Sequence, residues 1–237
     1  MTESHLCAHL APTDWDGIHL VVFDVDGTLY RQRPLRLRMA RDLLLHSLTK
    51  RDLNVISVLR NYRRIRERLA DRQAADFEPA LIAETAAATA NTPNAVRAIA
   101  TEWLERRPLP YLASCLYPKL HPLFAGLRRK GKTIGVLSDY PAAAKLAALG
   151  LTADHVVTAG DASVGFLKPH PRGLESLIVA TGVNANATVL IGDRADRDGV
   201  AARRAGARAL IRSSRPIEGW QTFAGFGDAV FAPFLEA

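Results

Sequence analysis

Apolar positions along the chain follow two patterns. Ile18 to Val25, Thr133 to Leu137 (ending at Ser138), His155 to Thr158, Thr188 to Ile191 and Ala207 to Ile211 are short apolar runs. Such runs without polar alternation predict strands buried on both faces. Between them lie His121 to Lys130, Pro141 to Leu149, Pro171 to Thr181 and Arg197 to Ala205, which read as helices. Gly131, Gly150 and Gly206 follow three of these helices and supply their stops, Gly150 as a C-cap. Strands alternating with helices predict an α/β fold with a parallel sheet.

The second pattern fills the region from Arg33 to about Leu116. Pro34 opens a helix in which Leu35, Met39, Leu43 and Leu44 recur at intervals near 3.6 residues, running to about Lys50. Leu53 to Leu59 suits a short strand or the start of the next helix, and its helical surroundings favour the helix. Tyr62 to Ala74, Asp76 to Ala90 and Pro93 to Arg107 are rich in good helix formers. Pro93 and Pro108 mark boundaries, and Thr92 or Asn91 caps the third of these helices. The first strand has no partner of its own, so it must join the later sheet, with the helical region as an insertion. The expected division is a discontinuous core, residues 1–32 and 119–237, and a helical cap domain, residues 33–118. Trp220, Phe223, Phe226, Phe231 and Phe234 in the tail read as packed against the core, with a homodimer contact as the alternative.

Composition adds limits. A chain of 237 residues, 48% hydrophobic, suits one core carrying a smaller insertion. No stretch approaches the roughly 18 consecutive apolar residues that span a bilayer. The first residues carry Glu3 rather than a basic cluster and no long apolar run follows, and Cys7 and Cys115 are too few for a disulfide framework. The expected location is cytoplasmic. His5, Cys7 and His9 lack a fourth ligand at useful spacing and are not read as a metal site.

The net charge is +7, and 15 Lys and Arg against 9 Asp and Glu between Arg33 and Pro118 place most of the excess in the helical region. Arg60, Arg63, Arg64, Arg66, Arg68 and Arg72 read as the solvated face of a helix. The alternative is a basic rim that attracts phosphorylated substrates. Nucleic acid is not expected as a partner.

The chemistry lies where apolar runs end. Ligands of an open parallel sheet bind outside the carboxyl ends of the strands, and Asp24, Ser138 and Asp193 each stand at such an end. Asp24 and Asp26 precede Gly27, which permits a sharp turn. A carboxylate attacking phosphorus needs a second acid to protonate the leaving oxygen and then activate water. A hard cation held by oxygen ligands suits the phosphoryl group, and Mg²⁺ prefers carboxylates and water. Asp193, with Asp196 and Asp198 close behind, supplies acids for that cation. Ser138 can donate to a phosphoryl oxygen, and Lys168 can balance negative charge.

Asp24-Val25-Asp26-Gly27-Thr28, Ser138 after its strand, Lys168-Pro169, and Gly192-Asp193 through Asp198 form an ordered set. This set resembles the haloacid dehalogenase superfamily, specifically its magnesium-dependent phosphatases, over roughly Ile18 to Leu29 and Leu120 to Ile211. The resemblance implies a Rossmann-like parallel-sheet core with an inserted, mostly helical cap. It implies Asp24 as the nucleophile forming an aspartyl-phosphate and Asp26 as general acid and base, with Ser138 and Lys168 as the other catalytic residues. Mg²⁺ would be held by the Asp24 carboxylate, the Asp26 backbone carbonyl and Asp193. Asp198 looks like the supporting acid, with Asp196 as a substitute.

Dehalogenase relatives generally lack an acid at the position of Asp26, and the helical insertion resembles the cap of the subgroup containing phosphoglycolate phosphatases. The expected activity is therefore hydrolysis of a small phosphorylated metabolite. A phosphomutase or other phosphotransferase, or a silent binding protein, are the alternatives. Asp139-Tyr140-Pro141, Arg194 and Arg197 match no single substrate specialist. Tyr62, Arg63 and Arg64 are candidates for contacts beyond the phosphate, against an ordinary surface helix, and His121 and His170 receive no duty.

Overall fold

The computed structural model describes residues 14–236. His5, Cys7, His9 and the rest of the amino-terminal arm lie outside the described residues. Strand β1 (Leu20–Phe23) is fully buried. The chain then runs through helices α1 (Gln32–Lys50), α2 (Asn54–Asp71), α3 (Phe77–Thr89), α4 (Pro93–Ala100) and α5 (Leu109–Cys115). It returns to the sheet through α6 (Leu120–Arg129), β2 (Thr133–Ser138), α7 (Ala143–Leu149), β3 (His155–Thr158), α8 (Arg172–Thr181) and β4 (Thr188–Gly192). Helix α9 (Val200–Arg204), β5 (Arg208–Arg212), β6 (Gln221–Phe223) and α10 (Ala232–Leu235) close it. The six strands are parallel in the order β3-β2-β1-β4-β5-β6. Strand order reverses around β1, which pairs with both β2 and β4, and that is where such a sheet opens a crevice for a ligand.

Burial on both faces explains the unbroken apolar runs. Val21 and Phe23 point to one face, against Leu123, Phe124 and Leu127 of α6 and the aromatic tail. Leu20 and Val22 point to the other, against Leu174 and Leu177 of α8 and Ala201 and Ala202 of α9. Successive strand residues face opposite ways, so both sets must be apolar. Phe223, Phe226, Phe231 and Phe234 are buried in the chain's own core, as expected of the tail, while Trp220 is half-buried.

Helices α1 to α4, inserted between β1 and β2, form the cap over the sheet, whereas α6 packs on the sheet itself. Val58, Tyr62, Ile65 and Leu69 recur along one face of α2 and pack on Phe77, Leu81 and Ile82 of α3 and Val96 of α4. Val55 and Leu59 meet Trp103, with Met39 and Leu43 of α1 beside them. Thr92 caps α4 by accepting from the Ala95 amide at 3.2 Å, with Pro93 in its first turn. Leu53 to Leu59 resolves as helix from Asn54, and Gly150 ends α7 at φ 65°.

Several boundaries differ from the pattern. Strand β1 is shorter than Ile18 to Val25, because after the Asp24 amide bonds the Ile191 carbonyl at 2.9 Å the chain turns away. Helix α1 starts before Pro34, whose missing amide hydrogen is tolerated in a first turn. Helix α4 runs on into a wide turn, Thr101–Arg106, and a second one, Ala195–Gly199, replaces the start of the helix expected from Arg197. Each contains an i→i+5 bond, Arg107 amide to Glu102 carbonyl at 2.9 Å and Gly199 amide to Arg194 carbonyl at 3.3 Å. Helix α5 and strand β6 have no counterpart in the sequence reading. No helix among the described residues is long and apolar enough to cross a membrane.

A Cβ on Gly126 of α6 would stand 1.8 Å from the Phe234 carbonyl oxygen, so the tail seats directly on this glycine. Gly126→Ala is expected to destabilise the protein by about 1–3 kcal/mol, read as a lowered denaturation midpoint. An unchanged midpoint would contradict this seating.

Candidate active site

The loop after β1 turns sharply at Gly27, whose φ is 104°. A Cβ there would stand 2.3 Å from a carboxylate oxygen of Asp193 and 2.8 Å from Gln32 Nε2, so only glycine admits the close approach of these groups. Asp24 and Asp193 follow the ends of β1 and β4, Asp198 comes from the wide turn after β4, and one carboxylate oxygen from each lies within 4.8 Å of the others. Lys168 enters from the loop before α8. Its ammonium donates at 2.6 Å to Asp24 Oδ1 and at 2.6 Å to Asp198 Oδ1, and all three side chains are buried. Thr28 donates to the other oxygen of Asp24 at 2.9 Å.

One ammonium bonds two acids, Arg212 stands 4.0 Å from the third, Asp193, and the proton affinities follow from that. Burial disfavours the charged ammonium of Lys168, but Asp198 and Asp24 outweigh it and hold its pKa well above the ordinary value. Burial, together with the repulsion of Asp198 and Asp193 and against the pull of Lys168, raises Asp24 well above the carboxylate range. Asp193 is pushed up to about 6, by burial first and by Asp198 next. A divalent cation fits here by donor chemistry, because hard carboxylate oxygens converge on one point and carry more negative charge than Lys168 neutralises. The Asp26 carbonyl, expected in the same ligand set, accepts from Gln32 Nε2 at 2.5 Å.

The Asp26 side chain points elsewhere. Lys145, buried on α7, donates to both of its oxygens at 2.6 and 2.7 Å, and the Tyr30 hydroxyl donates to it as well. Burial favours the neutral acid, but the Lys145 charge and hydrogen bonds and the Tyr30 hydroxyl prevail and hold Asp26 below the ordinary carboxylate value. Ser138 is fully buried at the end of β2, accepts from the Tyr140 amide at 3.2 Å, and is not part of the cleft wall.

These groups form the floor of a cleft of about 1020 Å³ between sheet and cap. Of the residues expected to contact substrate, Arg63 lines it. Tyr62 is buried among the cap helices, and Arg64 donates to Asn61 on the exposed side. Asp196 is exposed and paired with Arg194, so Asp198 alone joins the buried cluster. His170 stacks on Phe166 at 3.9 Å and bonds the Arg172 amide through Nδ1, a structural duty.

Four residues escaped the sequence reading. Tyr30 and Gln32 act only because the turn folds them back. Arg66 donates to the Asp139 carbonyl and lies 3.8 Å over the Tyr140 ring. Lys145 did leave a signal, as the single charge in the otherwise apolar stretch Ala142 to Leu149. The cap closes on the floor through Glu67 and Asp71 of α2, which accept from Arg194 and Arg197 at 2.5–3.2 Å.

A family model described as haloacid dehalogenase-like hydrolase matches residues 18–206. A phosphoglycolate phosphatase of Rhodospirillum rubrum is 28% identical over 198 residues, covering 81% of this chain and 78% of the relative. Among solved structures, a 2-haloacid dehalogenase from Pseudomonas syringae superposes with a TM-score of 0.62 at 21% identity, covering 91% of this chain and 98% of that one. The HAD-hydrolase YfnB from Bacillus subtilis, bound to magnesium, gives 0.62 at 16% identity, covering 89% and 96%. These likenesses establish the fold.

A raised acid pKa means that the folded chain binds a proton more tightly than the unfolded one. Without divalent cation, stability should therefore fall as pH rises from the unfolded value of 3.8 through about 6. Asp193→Asn is expected to flatten that pH dependence and to raise cation-free stability at pH 7 by on the order of 1–3 kcal/mol. Thermal melts across pH, with chelator, check both, and a destabilised variant would contradict the charge account.

Proposed function

The chain belongs to the haloacid dehalogenase-like hydrolase family, and we propose that it is a Mg²⁺-dependent phosphomonoesterase working through an aspartyl-phosphate on Asp24. The observation that carries this reading is Asp26, a second carboxylate lining the cleft and fixed there by Lys145 and Tyr30. A halide leaves without a proton, whereas an alkoxide leaving from phosphorus needs one. The relative named as a phosphoglycolate phosphatase supports the same choice. In this reading the core is residues 1–32 and 119–237, and the cap is residues 33–118.

Asp24 is held for attack, with Lys168 on one oxygen and Thr28 on the other. Its carboxylate oxygen forms a bond to phosphorus as the ester P–O bond breaks, and the leaving oxygen takes a proton from Asp26. Because Lys145 holds Asp26 ionised in the free site, that proton arrives with the substrate, whose second phosphate pKa lies near 6. Asp26 then removes a proton from water, which attacks the aspartyl-phosphate, releases inorganic phosphate and restores Asp24. Lys168 stays charged throughout and balances the phosphoryl oxygens.

The Asp24 carboxylate, Asp193 and Asp198 would hold Mg²⁺, with the Asp26 carbonyl available if Gln32 releases it. The ion supplies charge neutralisation, which lowers the proton affinity of Asp24 and spreads the charge of the transferring group. Cap closure through Arg194 and Arg197 keeps bulk water away until the phosphoenzyme has formed.

Phosphate release from a panel of phosphorylated metabolites, 2-phosphoglycolate included, is expected to require Mg²⁺ and to vanish in Asp24→Asn with the fold intact. Retained turnover in that variant would overturn the nucleophile. Asp26→Asn is expected to slow alkyl phosphates by about 10²–10⁴-fold and p-nitrophenyl phosphate far less, because only the poor leaving group needs the proton. Equal losses on both would remove Asp26 from that role.

A further inference from the structure

We propose that the leaving group of the natural substrate carries an extended apolar body, an alkyl chain or ring system, seated in an annex of the cleft between α1, α2 and the wide turn at Thr101–Arg106. The proposal rests on the phosphomonoesterase reading and names its substrate class.

The cleft has two chemically different ends. At the floor it is lined by Asp24, Asp26, Lys168 and Asp193, and at the other end by Met39, Leu43, Ile56, Leu59 and Trp103. Helix α1 begins at the floor, where Gln32 donates to the Asp26 carbonyl, and Leu43 follows 11 residues later. Helix α2 reaches the floor at its other end, where Glu67 pairs with Arg194 and Arg197, and Ile56 precedes it by 11 residues. At 1.5 Å per residue, both helices carry their apolar walls to about 16 Å from the charged end.

Leu35, Met39 and Leu43 repeat every four residues, so one face of α1 presents the whole wall. Trp103 and Leu59 are buried, Met39 and Leu43 are half-buried, and Ile56 remains 36% exposed. The wall therefore still offers apolar surface to a ligand. At about 1020 Å³ the cleft matches the upper end of pockets that enclose drug-sized ligands, about 300–1,000 Å³. A two-carbon phosphorylated acid would fill only the floor and leave the apolar end to water. Arg60 and Arg63 line the passage between the ends, without a carboxylate partner among the described residues. They hold the anionic head at the floor while the apolar body lies beyond.

The test measures binding and turnover separately. Binding of n-alkylphosphonates from methyl to octyl, which cannot be hydrolysed, is titrated calorimetrically into the wild-type chain with Mg²⁺. Phosphate release from the matching n-alkyl phosphates is followed in parallel. Affinity is expected to rise roughly fourfold per methylene over the middle of the series. Ile56→Asp and Leu43→Asp, with unchanged circular dichroism, are expected to reduce that increment. Affinity independent of chain length, an increment unaltered in both variants, or tighter binding of phosphonoacetate than of octylphosphonate would overturn the annex. A clear increment without phosphate release from any ester would support the annex and sink the phosphomonoesterase reading. Turnover without an increment would do the reverse.

Discussion

The buried ammonium of Lys168, shared between Asp24 and Asp198, is the interaction on which the site depends. Without it the converging carboxylates would repel one another in a medium that screens poorly. With it they still carry excess negative charge, which appears as the raised proton affinities of Asp24 and Asp193. The fold exists to hold that imbalance. Strands β1 and β4 lie side by side and deliver Asp24 and Asp193 at their ends, and Gly27 gives the clearance that a side chain would remove. Buried carboxylates that converge with excess charge are compatible with a divalent-cation site.

Much of this was legible because it is local. A strand buried on both faces must be apolar throughout, so Leu20 to Phe23 and Thr188 to Ile191 declare themselves, and the first polar residue after each falls at the sheet's carboxyl edge. Lys168, Asp193 and Asp198 were readable by order and spacing. What escaped depends on angles that sequence does not display. Arg66 sits in a run of arginines, and only its place on the α2 face separates it from exposed Arg64. Tyr30 and Gln32 acquire their partners through the turn at Gly27. Strand β6 is three residues long, from Gln221 to Phe223, and its pairing with β5 outweighs a weak local pattern. Lys145 could have been found, since a lone lysine in an alanine-rich buried helix needs a carboxylate partner.

The basic surplus of the cap resolves into separate duties. Arg72 is exposed, Arg68 pairs with Glu84, and Arg60 and Arg63 face the cleft. The solvated-face reading holds for Arg64 and Arg72 but not for Arg66, which is buried, while Arg60 and Arg63 line the cleft. The cap meets the floor by opposite charges, Glu67 and Asp71 against Arg194 and Arg197. Arg194 and Arg197 flank the acids of the buried cluster in sequence, so contact between cap and core and the field at the reacting centre are set by the same short segment. The cap thus sets a basic, partly apolar wall over an acidic floor.

In the proposed reaction, water attacks phosphorus and not the carbonyl carbon of Asp24. A turnover of p-nitrophenyl phosphate in H₂¹⁸O decides it, with mass spectrometry of the released phosphate and of the peptide containing Asp24. Hydrolysis of an aspartyl-phosphate at phosphorus predicts one ¹⁸O atom in the phosphate and none in Asp24. Label in the Asp24 carboxylate would mean attack at carbon and would contradict the account.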